Sequence, residues 1–283
     1  MPATADSIFL HTYFLCVALL AIIIPLFVLV RRKTPSLKLH QKGLVRTDAL
    51  NAFDLLGLTI FLGIYAVFLL EYLNPRELDD EGKPIEVSIT PLILAVGMIV
   101  QLVPPLLVAV LLAPRGVDMS GFLGLRWKNA RYLWVIAPMG VVITYLFLYG
   151  IELWGYAAWL DQYFGDDAKL QETVKTYQET DALTIRIMIA LSAIIIAPVA
   201  EEIVFRGYIY ATIKRFSTRL VGALLSSLLF GVVHFNISAF IPLVFLALVL
   251  TLAYELSGSI WAPISIHALF NASTILFQEM KFH

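Results

Sequence analysis

Long apolar runs separated by short polar stretches dominate the chain. They fall at about 8–30, 51–70, 89–113, 132–157, 183–213, 220–235, 239–256 and 259–277. Most reach or exceed the roughly 20 residues that a helix needs to cross a bilayer. The sixth is shorter and contains Gly222 and Gly231, so it is expected to be shielded by neighbouring helices. The pattern predicts an all-α fold, a polytopic transmembrane bundle of eight helices forming a single membrane domain over 1–283. Four N-terminal helices would occupy 1–158, and a core of four more would occupy 183–277. The first run has too long an apolar core for a cleaved signal, and its basic residues follow it instead of preceding it. It is therefore expected to be a permanent helix.

Composition agrees with this reading. Of 283 residues, 60% are hydrophobic and only 14% are charged, against about 25% charged in soluble domains. The mean hydropathy is +0.84. A net charge of −1 is uninformative until it is divided among the loops. Residues 31–50 are basic (Arg31, Arg32, Lys33, Lys38, Lys42, Arg46), 71–88 are mostly acidic, and 114–131 are basic again (Arg115, Arg126, Lys128, Arg131). Residues 160–182 are mostly acidic, and 214–219 hold Lys214, Arg215 and Arg219. The positive-inside rule places the basic loops in the cytoplasm and both termini outside. The stretch Gly121–Trp127 is expected along the inner interface, with Arg126 and Trp127 at headgroup level. A single cysteine, Cys16, excludes a disulfide framework or a cysteine metal site within one chain. The bilayer is the expected partner; no nucleic-acid partner is.

Against this apolar background one segment stands out: Ala197-Pro198-Val199-Ala200-Glu201-Glu202-Ile203-Val204-Phe205-Arg206-Gly207. A charged side chain at mid-bilayer costs roughly 2.5–3.5 kcal/mol on insertion scales, and here three lie within six residues. Glu202 and Arg206 are four apart and share a helix face, so they can pair. Glu201 lies about 100° round the helix, which leaves one carboxylate available for something else. Pro198 has no N–H, and in an α-helix the Ile194 carbonyl would lose its partner. Downstream, His234 closes one apolar run, and His267 and Asn271 share a face of the last. Helical rise places Glu201 and His234 roughly 20 and 22 Å from the inner helix ends, with His267 and Asn271 at roughly 12 and 18 Å. All four fall in one layer near the middle of the hydrocarbon. Each has a bland alternative: a tie between helices, a histidine bonded to a neighbouring carbonyl, interhelical hydrogen-bond glue. One shared site explains all of them together. Gln101 with Pro104 and Pro105 reads as a kink, and Glu255 as a group reaching water or a loop cation.

A carboxylate beside an imidazole in a low-dielectric pocket can activate water. The Asn271 amide and an N–H of His267 could face a developing oxyanion. No Ser or Cys nucleophile stands nearby, which favours direct attack by water. The same side chains, Glu201, His234 and His267, could instead hold zinc, although no His-Glu-x-x-His is present. A metal-free glutamate mechanism is slightly favoured, with Zn2+ as the alternative.

Glu-Glu-x-x-x-Arg at 201–206, Phe-x-x-x-His at 230–234 and His-x-x-x-Asn at 267–271, in that order, resemble the CAAX prenyl endopeptidase and bacteriocin-processing (CPBP, or Abi) family of intramembrane proteases. Ser257–Ile264 resembles that family's approach to its final helix. The resemblance covers roughly 183–277 and implies an eight-helix membrane protease acting on prenylated proteins or other peptides. By similarity, Glu201 and His234 would activate water, and His267 and Asn271 would hold the oxyanion. Glu202, Arg206 and Phe230 would shape the site. The family has been described both as metal-dependent and as glutamate-dependent. The expected setting is a bacterial plasma membrane, with a peptide or protein substrate, lipidated or not. The rival reading is a non-enzymatic membrane protein, an immunity or scaffold protein or an ion-coupled carrier. Confinement of the polar residues to the second half counts against a carrier, which would be built from repeated halves.

Overall fold

The structure is a computed structural model that describes residues 43–73, 89–164, 177, 180 and 182–281. Helices follow one another as α1 (Phe53–Leu73), α2 (Pro91–Val100), α3 (Val103–Leu112), α4 (Leu133–Leu153) and α5 (Tyr156–Phe164). After these come α6 (Leu183–Phe216), α7 (Arg219–Val232), α8 (Ile237–Ser257) and α9 (Trp261–Lys281). No strand occurs among the described residues, and the all-α expectation holds. Among the described residues, five helical segments are long and apolar enough to cross a membrane: Phe53–Leu70 of α1, Pro91–Arg115, Ala130–Leu153, α6 and α8. Helix α7 is the short sixth run, at 14 residues. The expected first helix at 8–30, with His11 and Cys16, lies outside the described residues, as do most of the acidic stretches at 71–88 and 160–182.

Local chemistry sets the helix boundaries. Thr90 caps α2 by accepting from the Ile93 N–H at 3.3 Å, with Pro91 in the first turn. Pro104 and Pro105 cannot donate to the carbonyls four residues back, so the helix breaks at Gln101–Leu102 and restarts as α3. Gly155, at φ +89, ends the run expected at 132–157. The chain turns there because a left-handed conformation costs glycine nothing, and α5 begins at once. Thr218 caps α7 on Val221 N, and Asn236 caps α8 on Ala239 N. The tight link between them passes through Phe235 at φ +49, a left-handed conformation that a bulky side chain rarely adopts.

Helix α6 is the axis of the bundle. Every residue from Val204 to Lys214 is buried, as befits a helix surrounded on all sides. Phe61 and Leu58 of α1, Val108 and Leu112 of α3, Phe230 of α7, Tyr254 of α8 and Ile264 of α9 close around Phe205, Tyr208 and Ile209. Helix α4 packs through Ala137 and Val141 against Leu246, Leu250 and Ile266. On the outside, Trp134, Trp154, Leu92 and Leu153 are exposed, the inverse of a soluble surface. The Gly121–Trp127 stretch is anchored on one side and open on the other, with Leu125 and Arg126 exposed. Phe122 and Leu123 turn into the core, and Ile260 N donates to Leu123 O at 2.9 Å. That crossing requires glycine: a Cβ on Gly124 would sit 1.9 Å from the Gly258 carbonyl oxygen.

Two expectations about charge are corrected. Lys214 is not in a cytoplasmic loop, since α6 runs on to Phe216 and buries it. Its ammonium group pairs with Glu255 and donates to Val45 O at 3.0 Å. Glu255 therefore reaches a helix cation, not a loop cation, and Tyr210 also donates to it at 2.6 Å. The pattern gave no hint of Asp54, which is fully buried and holds Arg115 at 2.7 Å and the Tyr208 hydroxyl at 3.2 Å.

Candidate active site

Three helices carry the polar residues that the sequence singled out. Glu201, Glu202 and Arg206 come from α6, Phe230 from α7, and His267 and Asn271 from α9; His234 follows the end of α7. The ion pair expected at four-residue spacing forms: Arg206 Nη1 donates to Glu202 Oε1 at 2.8 Å, with both side chains buried. Arg206 Nη2 donates to Ala247 O at 3.3 Å, and the guanidinium carbon lies 4.5 Å from the centre of the Phe230 ring. Phe230 is the plate around which the site is built. Its ring meets Phe205 at 5.1 Å and His267 at 5.9 Å in edge-to-face contacts and lies tilted against His234 at 4.7 Å.

Glu202 does more than pair with Arg206. The same Oε1 accepts from His267 Nδ1 at 2.9 Å. That bond fixes the imidazole orientation and leaves Nε2 facing inward, where it lies 3.9 Å from Glu201 Oε2. Such a separation is too long for a direct hydrogen bond and suits one water touching both atoms. Glu201 Oε2 is buried and has no hydrogen-bond partner among the described residues. The carboxylate expected to be left over is thus left over, and it faces His267. His234 directs its Nδ1 to its own helix, onto Phe230 O at 2.6 Å, and lies within electrostatic reach of Glu201, His267 and Arg206.

Asn271 is engaged in a way that the sequence did not suggest. Its Nδ2 donates to Ala193 O at 2.7 Å. Helix α6 is not α-helical throughout: Ser192–Ile196 is a π-turn, and the Ala197 N–H reaches back five residues to Ser192 O. In that register Pro198 is the residue that should serve Ala193 O, and it has no N–H. The orphan carbonyl is therefore Ala193 and not Ile194, displaced by one residue because the helix is π and not α. Pro198 was the available signal; the register was not readable. One amide proton of Asn271 is committed to this cap, and among the described residues no partner takes its second proton or its oxygen.

Both histidines anchor Nδ1 and keep Nε2 free, as zinc-binding histidines do. Yet among the described residues no three His, Cys, Asp or Glu side chains stand close enough to hold a metal ion. As arranged, Glu201, His234 and His267 do not fit one.

This geometry coincides with a family. Residues 183–273 match the family model described as type II CAAX prenyl endopeptidase Rce1-like. Every site residue named above falls within that segment, and the resemblance read from the motifs is the one the match returns. The chain is also similar to the "Putative membrane peptidase YdiL" of Bacillus subtilis (strain 168), at 26% identity over 147 residues. That alignment covers 52% of this chain and 56% of the relative, so the chain spans little more than half of the relative's length. No solved structure matches.

Proposed function

We propose that the protein is an intramembrane endopeptidase of the CAAX-protease type, in which Glu201 activates the attacking water. The observation that carries this reading is the buried, unpartnered Glu201 oxygen facing His267 while Glu202 and Arg206 neutralise each other. The Rce1-like match over 183–273 supports it.

In this reading a water between Glu201 and the imidazoles adds to the scissile carbonyl carbon and gives its proton to the Glu201 carboxylate. His234 assists by accepting a hydrogen bond from that water at Nε2. With Nδ1–H on Glu202, neutral His267 presents a lone pair at Nε2; doubly protonated, it donates Nε2–H to the oxyanion. The second amide proton of Asn271 is the other candidate donor. Collapse of the tetrahedral species breaks the C–N bond, and the Glu201 carboxyl returns its proton to the departing amine. Phe230 and the Glu202–Arg206 pair hold these groups in place. The substrate is a membrane-associated peptide or protein, with or without a lipid. The setting is a bacterial plasma membrane with the basic helix ends in the cytoplasm. In support of that orientation, Arg115, Lys214 and Arg219 cluster at one end of the bundle around residues 43–51.

The test is cleavage of quenched fluorescent peptides, prenylated and unprenylated, by the purified full-length protein, with and without a zinc chelator. Wild type should cut, while Glu201→Gln and His234→Ala should not, and chelator should leave the wild-type rate unchanged. Equal cutting by all three proteins would sink the assignment, and loss of activity in chelator would replace the glutamate mechanism with a metal-dependent one.

A further inference from the structure

The two carboxylates face His267 because of what happens one turn earlier in α6. Each π-turn inserts one extra residue relative to an α-helix, which rotates everything downstream by about 100°. If Ser192–Ile196 relaxed to α geometry, Glu202 would swing away from His267 by that angle, and Glu201 with it. The π-turn is not self-sustaining, since Pro198 withholds the hydrogen bond that Ala193 O needs. Asn271 replaces that bond from the α9 side. On the side of α2 there is a second contact. Ser192 Oγ, at the first residue of the π-turn, lies 3.1 Å from Gln101 Nε2 and 3.2 Å from Gln101 Oε1.

Gln101 is otherwise hard to explain. It is the one polar side chain between 91 and 112, in a segment built to cross a membrane. An amide in such surroundings is costly unless it is hydrogen-bonded. It sits where Pro104 and Pro105 break the helix, so its backbone is held at the end of α2, donating to Gly97 O at 3.0 Å. A rigid break on one helix thus carries an amide to the irregular turn of another.

We propose that Gln101 and Ser192 form a positioning pair that holds the π-turn of α6 and thereby sets the direction in which Glu201 and Glu202 face. Neither residue is placed to touch a reacting atom; both act through the helix register. The consequence for turnover rests on the reading of Glu201 as the water-activating base, whereas the register itself does not.

The experiment compares wild type, Gln101→Leu, Ser192→Ala, the double variant and Ser192→Thr, each as the full chain in nanodiscs. Hydrogen exchange of the amides at 192–202 and peptide-cleavage kinetics are both read. Gln101→Leu and Ser192→Ala should each change exchange in that window and lower kcat roughly 10- to 100-fold with KM within about twofold, as a misdirected catalytic group does. The double variant should be no worse than either single one, and Ser192→Thr, which keeps the hydroxyl, should behave as wild type. Unchanged exchange in the single variants, additive losses in the double, or failure of Ser192→Thr to rescue would each overturn the proposal. If wild type cuts no peptide, the exchange data still decide the pair, and it is the protease reading that fails.

Discussion

Helix α6 carries two buried ion clusters, and they are not built alike. Near its end, Lys214 meets Glu255 one to one, with Tyr210 and Val45 O taking up further hydrogen bonds. The Asp54–Arg115 pair nearby has the same one-to-one balance. At mid-helix, two carboxylates stand beside one guanidinium that pairs with only one of them, and a histidine turns one nitrogen to each acid. A balanced buried pair serves as a staple, since its charges cancel where they stand, even though Glu255 Oε2, like Glu201 Oε2 and Glu202 Oε2, has no hydrogen-bond partner among the described residues. An unbalanced cluster carries a carboxylate with no cation of its own in a place where that is expensive. The imbalance, and not burial as such, separates a candidate site from structural glue.

The sharpest way to break this comparison is to neutralise one acid in each cluster. Glu201→Gln should lower peptide cleavage by about 10²–10⁴-fold, the range for removing a general base, with no loss of thermal stability. Glu255→Gln should do the reverse. It strands Lys214, costs about 3–5 kcal/mol of stability as a broken buried pair does, and leaves the rate per folded molecule unchanged. If both variants lose activity and keep stability, the distinction between site and staple fails. Thermal unfolding in detergent and single-turnover cleavage together check both arms.

Removal of the cation tests the same idea from the other side. Arg206→Met leaves the buried Glu202 without its cation and should destabilise by about 3–5 kcal/mol or more. Adding Glu202→Gln should recover part of that loss. Lys214→Met combined with Glu255→Gln should come close to wild-type stability, because a balanced pair can be deleted as a unit. A smaller effect is expected at the helix brace. Asn271→Leu leaves the Ala193 carbonyl unserved and should cost about 1–3 kcal/mol, the penalty for a buried unsatisfied acceptor.

The smallest effect belongs to an exposed pair. Arg46 donates to Asp48 at 3.2 Å, with both side chains largely in solvent. That bond, helped by a backbone hydrogen bond, holds the Asp48 carboxyl below its ordinary value. A depressed acid stabilises the fold above its unfolded pKa of about 3.9, and that contribution is lost as pH falls through the lower folded value. Arg46→Ala should therefore shift stability at neutral pH by no more than a few tenths of a kcal/mol, because water screens the pair, and should leave stability near pH 2 unchanged. A larger shift in chemical-denaturation midpoint would mean that Arg46 has structural work beyond Asp48.

Much of the site was legible before any coordinates. Three charges in an apolar run announce themselves by their cost. The four-residue spacing of Glu202 and Arg206 predicted a pair that forms, and Glu201 was left without a cation as expected. The partnership of Glu202 with His267 was not legible, because it depends on how α6 and α9 approach and rotate. Nor was the use made of Asn271, since Pro198 signals an orphan carbonyl but not whether the register is α or π. Lys214 was misplaced for a related reason. A cation at the end of an apolar run looks the same whether it enters water or turns inward to an acid 41 residues away.

The sequence by itself determined an all-helical membrane protein and the residues that cannot be ordinary lipid-facing groups. These are matters of transfer free energy and helical period, which act locally along a chain. Only the tertiary structure decided which carboxylate is neutralised, which one faces the imidazole and which backbone carbonyl needs an amide. Those outcomes depend on helix rotation: one extra residue in a turn moves a side chain by about 100°, and nothing in a run of Ser-Ala-Ile-Ile-Ile tells the reader that the extra residue is there.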